Sequence, residues 1–239
     1  MESWRMNGSP NDRTPLVADK LIERKQTRTT HEDGLDGEQA AREAVAGLLR
    51  WMGQDPNRDG LRDTPRRVVA AFHEMTSGYH QQPAHILSTT FQVDYHEIVV
   101  LRHVHFTSLC EHHLMPFAGT CSLGYLPSGQ VVGLSKLARL VSCFAHRLQI
   151  QERMTTEIAE AVWKHLRPRG VGVVIAARHC CMGCRGVRKP IAQMVTRALL
   201  GEMRDDRQIR AEFLRLCERG VRRRRSHSRE EHDGDGFHQ

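Results

Sequence analysis

Aromatic side chains are scarce, only 5% of the 239 residues. A core must therefore rest on Leu, Val, Ile, Ala and Met rather than on stacked rings. No apolar run approaches the roughly 20 residues that cross a bilayer, and the opening residues, Met1-Glu2-Ser3-Trp4-Arg5-Met6-Asn7, hold no apolar signal core. Neither a membrane protein nor a secreted one is expected, and the chain reads as cytoplasmic. No internal repeat is visible, which argues against solenoids and propellers. The cysteine count is seven, an odd number, so the thiols cannot all be paired in disulfides. In a reducing compartment, clustered Cys and His read instead as metal ligands or catalytic groups.

The charge balance is lopsided. A formal net charge of +7 and a pI near 9.3 would suit an anionic partner, but much of the excess lies in Arg219 and Arg222-Arg223-Arg224-Arg225. A terminal basic run is more often a solvated tail than a nucleic-acid site, and nucleic acid is not the expected partner.

Two stretches concentrate the chemistry. Cys110-Glu111-His112-His113 holds a thiol and an imidazole three positions apart with a second imidazole between them, and His179-Cys180-Cys181-Met182-Gly183-Cys184-Arg185 supplies further thiols. Zinc sites combine soft thiolates and imidazoles in this way. Spacing alone leaves the ligand count open. Four ligands from Cys110, His113, Cys181 and Cys184 would make a closed, structural cage; three would leave a position for water. The open site is favoured by His112 and His179, imidazoles beside the ligands that can act as general acids or bases, and by the acidic Glu152 in Gln151-Glu152-Arg153. Ser135, Lys136, Arg139 and Arg185 are hydroxyl or cationic groups of the kind a polyphosphate needs, although Lys136 and Arg139 could equally form a solvated helix face. Cys121, Cys143 and Cys217 fall at apolar-periodic positions and read as core residues. Glu111 could orient a ligand, and Cys180, alternating with Cys181 along an expected strand, should face away from the metal.

The chain divides by pattern into four parts: a disordered leader over 1–36, a helical segment over 37–95, a catalytic domain over 96–218 and a disordered basic tail over 219–239. In the helical segment, Ala41, Ala44, Val45, Leu48, Leu49 and Met52 recur at helical spacing, with Gly53 placed to end the helix in a left-handed conformation. Thr64-Pro65 reads as the cap and first turn of a second helix. In the catalytic part, strands are expected over 97–106, 117–126, 171–177 and 187–200, with a short one at 130–134. Helices are expected from Ser135, from Gln151 or Glu152 to Leu166, and over 205–217. On the second strand Phe117, Cys121, Leu123 and Tyr125 share a face. The order strand, strand, helix, helix, strand, strand is an α+β layout with helices on one face of an antiparallel sheet.

Five segments together resemble one family. Asp59-Gly60-Leu61 with Thr64-Pro65-Arg66-Arg67-Val68, Thr107-Ser108-Leu109-Cys110-Glu111-His112-His113, Gly133 to Arg139, Arg147 to Thr155, and His179-Cys180-Cys181-Met182 with Arg185 to Pro190 resemble GTP cyclohydrolase I over about residues 38 to 217, in order. The resemblance implies zinc held by Cys110, His113 and Cys181 with a fourth position open to water. Cys184 departs from the family's usual non-ligating residue. Implied too is hydrolytic opening of the guanine five-membered ring of GTP at C8, with proton transfer by His112 and His179, loss of formate, and rearrangement to 7,8-dihydroneopterin triphosphate. Glu152, with Gln151 nearby, would hold the guanine edge. Ser135, Lys136, Arg139 and Arg185, with Arg67 in addition, would clamp the triphosphate. The fold it implies is the tunnelling fold, whose ββααββ units form a decamer of two five-membered rings with active sites between subunits. Two other readings compete: a structural-zinc nucleic-acid binder using the basic tail, and a nitrile reductase-type relative with a Cys nucleophile, which has no need of the Cys110, His113 and Cys181 set.

Overall fold

The structure, a computed structural model, describes residues 34–218. The basic tail, and the leader but for its last three residues, lie outside the described residues. The chain forms two compact units, one up to Arg66 and one from Arg67 onward. In the first, α1 (Gly34–Trp51) carries the helical periodicity read above, and Gly53 follows at φ +77°, a left-handed conformation that costs a residue without Cβ little. A polar turn region leads to α2 (Thr64–Met75), which has Pro65 in its first turn and continues into the second unit.

The second unit is built on a five-stranded sheet ordered β5-β2-β3-β6-β7. Its strands are β2 (Val99–Cys110), β3 (Pro116–Leu126), β5 (Leu148–Gln149), β6 (Gly170–His179) and β7 (Met194–Gly201). The β2–β3, β3–β6 and β6–β7 pairs are antiparallel, and the short β5 joins β2 in parallel. A second ribbon pairs β1 (Thr90–Gln92) with β4 (Gln130–Val132). Before it come a single 3₁₀ turn at Ser77–His80 and the one-turn α3 (Pro83–Ile86). Between the sheet's two halves run α4 (Leu134–Ala145) and α5 (Gln151–Leu166). The ββααββ order is therefore present.

Alternation decides the main core. Phe117, Cys121, Leu123 and Tyr125 of β3 and Val171, Val173, Ile175 and Ala177 of β6 are buried together. They meet Leu137, Leu140, Val141 and Phe144 of α4 and Met154, Ile158 and Val162 of α5, whose spacing keeps them on one helical face. Each fully buried Leu, Val or Phe contributes about 1.5–3 kcal/mol, so this layer holds the sheet and both helices together. The tyrosine at this face also accepts a hydrogen bond at its hydroxyl from the Val132 N–H (3.0 Å), tying β4 to the layer.

Helices are not confined to one face. After the single turn α7 (Glu202–Asp205), α8 (Arg207–Glu218) closes one end of the opposite face, burying Phe213 and Cys217 with Met203 and Leu126. Gly124 and Gly172, paired across β3 and β6, make room for it: a Cβ on Gly172 would lie 2.4 Å from the Phe213 ring. The first strand of the sheet is interrupted between Leu101 and Val104 by a register shift in which His103 takes φ 54°. The His103 N–H donates to Ser122 Oγ at 3.3 Å there, giving a β-bulge in the sense of one extra residue on one strand.

Around the second Cys-rich stretch the expectations change in detail. The last strand begins at Met194 rather than Val187, because Val187–Gln193 is a turn region bent back by the Lys189 N–H donating to Met182 O (2.8 Å). Cys180 and Cys181 do not alternate along a strand: β6 ends at His179 and the chain enters a helical turn, α6 (Cys180–Gly183). Cys180 is exposed for that reason, and not through strand parity.

Candidate metal and substrate site

Strand order brings the two Cys-rich stretches together. Cys110 ends β2 and His179 ends β6, and both strands pair with β3 between them. After Cys110 the chain turns tightly: the His113 and Leu114 N–H groups donate to Cys110 O (3.3 and 2.9 Å), and the Cys110 N–H donates to Met115 O (2.9 Å). This folds His113 back over the strand end, with Cys110 Sγ 3.7 Å from His113 Nδ1. The α6 turn then swings Cys181 across. One donor atom each from Cys110, His113 and Cys181 lies within 4.8 Å of the others.

Such a donor set suits a borderline or soft divalent ion, since thiolate and imidazole are its preferred ligands. Burial, and then the adjacent Cys110, push the Cys181 thiol above its ordinary range, and a bound cation would reverse that preference. Cys184 is exposed and stands outside the group formed among the described residues.

Two histidines flank the three donors. His112 is exposed in the turn, its ring 6.2 Å from that of His113 and nearly perpendicular to it. His179 lies flat on Phe117, ring centroids 4.6 Å apart and 3° from parallel, a stack set by the β3–β6 register that pairs these two residues. Burial lowers the His179 pKa below its ordinary value, and the Glu152 carboxylate partly opposes this. His179 Nε2 is 2.9 Å from Gln151 Oε1. Gln151 and Glu152 open α5 side by side but differ in setting: Gln151 is buried and Glu152 exposed. The amide nitrogen of Gln151 is already engaged by Ile175 O, Met194 O and Thr196 Oγ1.

The cationic candidates are spread over three elements. Ser135, Lys136 and Arg139 lie in the first turns of α4, with Ser135 and Arg139 exposed and Lys136 half-buried. Arg185 is exposed just beyond α6, and Arg67 is exposed on α2. Among the described residues, a separate cleft of about 600 Å³ is lined by His105, Thr107, Thr120, His146 and Arg178, and it includes none of the three donors.

Sequence reasoning named Glu111 as a possible orienter without its partner, and missed two other supports. Glu111 pairs with Arg153 of α5, which also donates to Leu148 O (2.9 Å) and Gln149 Oε1 (3.2 Å). That clamp fixes the turn carrying His112 and His113 to α5, and the Glu111 N–H adds a bond to Gln149 O (3.1 Å). Phe117 under His179 and the buried Gln151 amide are the other two. Only the strand register could have revealed Phe117, and nothing local marks Gln151 as buried.

Known proteins share this arrangement of segments. A family model described as GTP cyclohydrolase I matches residues 41–218. A "GTP cyclohydrolase 1" of Coxiella burnetii (strain Dugway 5J108-111) is 49% identical over 173 residues, 72% of this chain and 94% of the relative. One from Nitrosospira multiformis is 50% identical over 173 residues, 72% of this chain and 91% of the relative. Among solved structures, the apo archaeosine synthase QueF-Like aligns at 18% identity with a TM-score of 0.37, over 44% of this chain and 94% of that one.

Proposed function

The chain belongs to the GTP cyclohydrolase I family, and from that premise we propose how its residues divide the conversion of GTP to 7,8-dihydroneopterin triphosphate and formate. The observation that carries the assignment is the Cys110, His113 and Cys181 group with two further imidazoles beside it. These three residues would hold zinc. When bound, the ion supplies Lewis acidity that brings the pKa of a coordinated water toward neutrality.

The protein's own groups do the rest. His112, exposed, exchanges protons with the departing ring nitrogen, and His179 carries the second proton. Burial lowers the His179 pKa, which favours the neutral ring that can accept a proton. Glu152 accepts from N1–H and from the exocyclic amine of guanine, and a base lacking those donors would leave the carboxylate unpaired. Ser135, Lys136, Arg139 and Arg185, with Arg67, clamp the triphosphate through charge-assisted hydrogen bonds.

A homo-oligomer, a decamer of two five-membered rings, belongs to the same proposal. Its support is the sheet itself: among the described residues β7 is paired on one side alone, and β2 meets the two-residue β5 only at Leu109 and Cys110, so both leave ladder groups open to a neighbour. Cytoplasmic location is proposed as well; no described helix is long and apolar enough to cross a membrane.

Incubating the zinc-replete, assembled protein with GTP should release formate and, after oxidation, a fluorescent pterin. His112→Ala and His179→Ala should each keep the metal and lose turnover by roughly 10²–10⁴-fold. Absence of product from a metal-replete sample would sink the catalytic reading.

A further inference from the structure

Gln151 sits beside a guanine-binding candidate in sequence, yet its side chain is turned inward, 1% exposed, at the start of α5. Its amide orientation follows from its neighbours. Ile175 O (3.2 Å) and Met194 O (3.1 Å) are backbone carbonyls and can only accept, so the atom facing them must be the amide nitrogen. The carbonyl Oε1 is thereby turned to His179 Nε2 at 2.9 Å, and it too can only accept.

The surrounding hydroxyls allow a single proton arrangement. Thr155 Oγ1 donates to Gln151 O at 2.6 Å. Thr155 Oγ1 and Thr196 Oγ1 are also 2.6 Å apart, so with the Thr155 proton committed, Thr196 is the donor of that pair. Thr196 Oγ1 is then an acceptor for the Gln151 amide at 3.1 Å. The two amide hydrogens of Gln151 are shared among Ile175 O, Met194 O and Thr196 Oγ1, and the hydrogen facing Oε1 is carried by His179 Nε2. The stack on Phe117 fixes the plane of the same ring.

We propose that Gln151 is a positioning residue: its buried amide holds His179 in the tautomer protonated at Nε2, leaving the lone pair on Nδ1 as the atom that exchanges a proton with substrate. Contact with the guanine edge is then the task of Glu152 alone. The amide is tied to β6 and β7 through Ile175, Met194 and Thr196, so sheet and helix together set the imidazole's chemistry. Buried networks of this kind are rigid when every member is satisfied.

The proposal rests on His179 carrying a proton in turnover, and a double-mutant cycle separates the two claims. Gln151→Met keeps the length of the side chain and removes the amide. In the zinc-loaded full chain it should lower kcat by about 10–100-fold, the usual effect of losing a group that orients another. Metal content, KM for GTP and calorimetric GTP binding to the metal-free protein should all stay within about twofold. In a His179→Ala background the same change should have no further effect on kcat.

A raised KM and weakened GTP binding with kcat intact would make Gln151 a substrate ligand and overturn the proposal. So would an undiminished effect in the His179→Ala background. Wild-type kcat in His179→Ala alone would instead defeat the proton-carrier reading, and the proposal with it. If Gln151→Met does not fold, Thr196→Val takes its place in the cycle. That variant should cost less kcat, again only when His179 is present, and no loss of kcat would count against the proposal.

Discussion

Three donor residues stand at the ends of two strands, and their chemistry depends on which fourth group can reach them. Cys184 is the sequence's fourth thiol at this site, but it is exposed, follows directly on the α6 turn and stands outside the three-donor group. Cys184→Ala should therefore leave the bound metal at its wild-type stoichiometry and turnover within about twofold, whereas Cys181→Ala should empty the site, since three protein ligands are the minimum for an open catalytic zinc. Metal analysis after dialysis, run on both variants, checks this. Loss of metal from Cys184→Ala would instead mean a closed cage. The residue types at this site were readable from the chain because thiols and imidazoles have few other reasons to cluster in a protein without disulfides. The count was not readable, because a C-x-x-C spacing fits both a cage and an open site, and the path of the chain after His179 is what brings Cys181 into the three-donor group.

Elements are held by complementary shapes, and the tightest of these is at the back of the sheet. The Phe213 ring of α8 rests where Gly172 and Gly124 have no side chains. Gly172→Ala would set a Cβ 2.4 Å from that ring and should destabilise the protein by about 1–3 kcal/mol, the usual penalty for forcing a methyl into a filled core. The control is Gly37→Ala on α1, where a Cβ meets nothing within 4 Å and helix propensity favours alanine. Thermal or denaturant unfolding of both variants measures the contrast, and equal stability for the two would show that α8 yields without cost. Periodicity gave α5 and the start of α4 nearly to the residue, because each buries a single apolar stripe, but it carried α4 on to Leu148, which lies in the short β5. It extended the last strand too far, because Val187 and Ile191 are apolar residues left exposed in a turn, and hydrophobic pattern alone reads such residues as buried.

At the scale of the molecule, the sheet is unfinished. Among the described residues strand β7 pairs only with β6, and it carries Val195, 63% exposed on the face that α4 and α5 do not cover. An exposed apolar side chain on an open edge is what a neighbouring copy would cover. Val195→Asp should cost the isolated fold under about 0.5 kcal/mol, as surface changes do, yet reduce the mass of the assembly in solution. Multi-angle light scattering on wild type and variant decides it. A wild-type protein that is monomeric, or a variant with unchanged mass, would refute the ring assembly proposed for this chain.

By itself the sequence determined the class of fold, the order of the main strands and helices, the family, and the thiols and imidazole that gather as candidate metal ligands. Those features are written in local signals: the two-residue and 3.6-residue apolar periods, and short segments whose chemistry has one common use. Tertiary structure alone decided how those residues are held. The β3–β6 register lays Phe117 under His179, the turn after Cys110 and the Glu111–Arg153 pair fix the imidazoles, and the Gln151 side chain is buried with its carbonyl against His179. Hydrogen-bond partners distant in sequence leave no local trace, so a side chain's neighbours, and with them its role, exist only once the strands are paired.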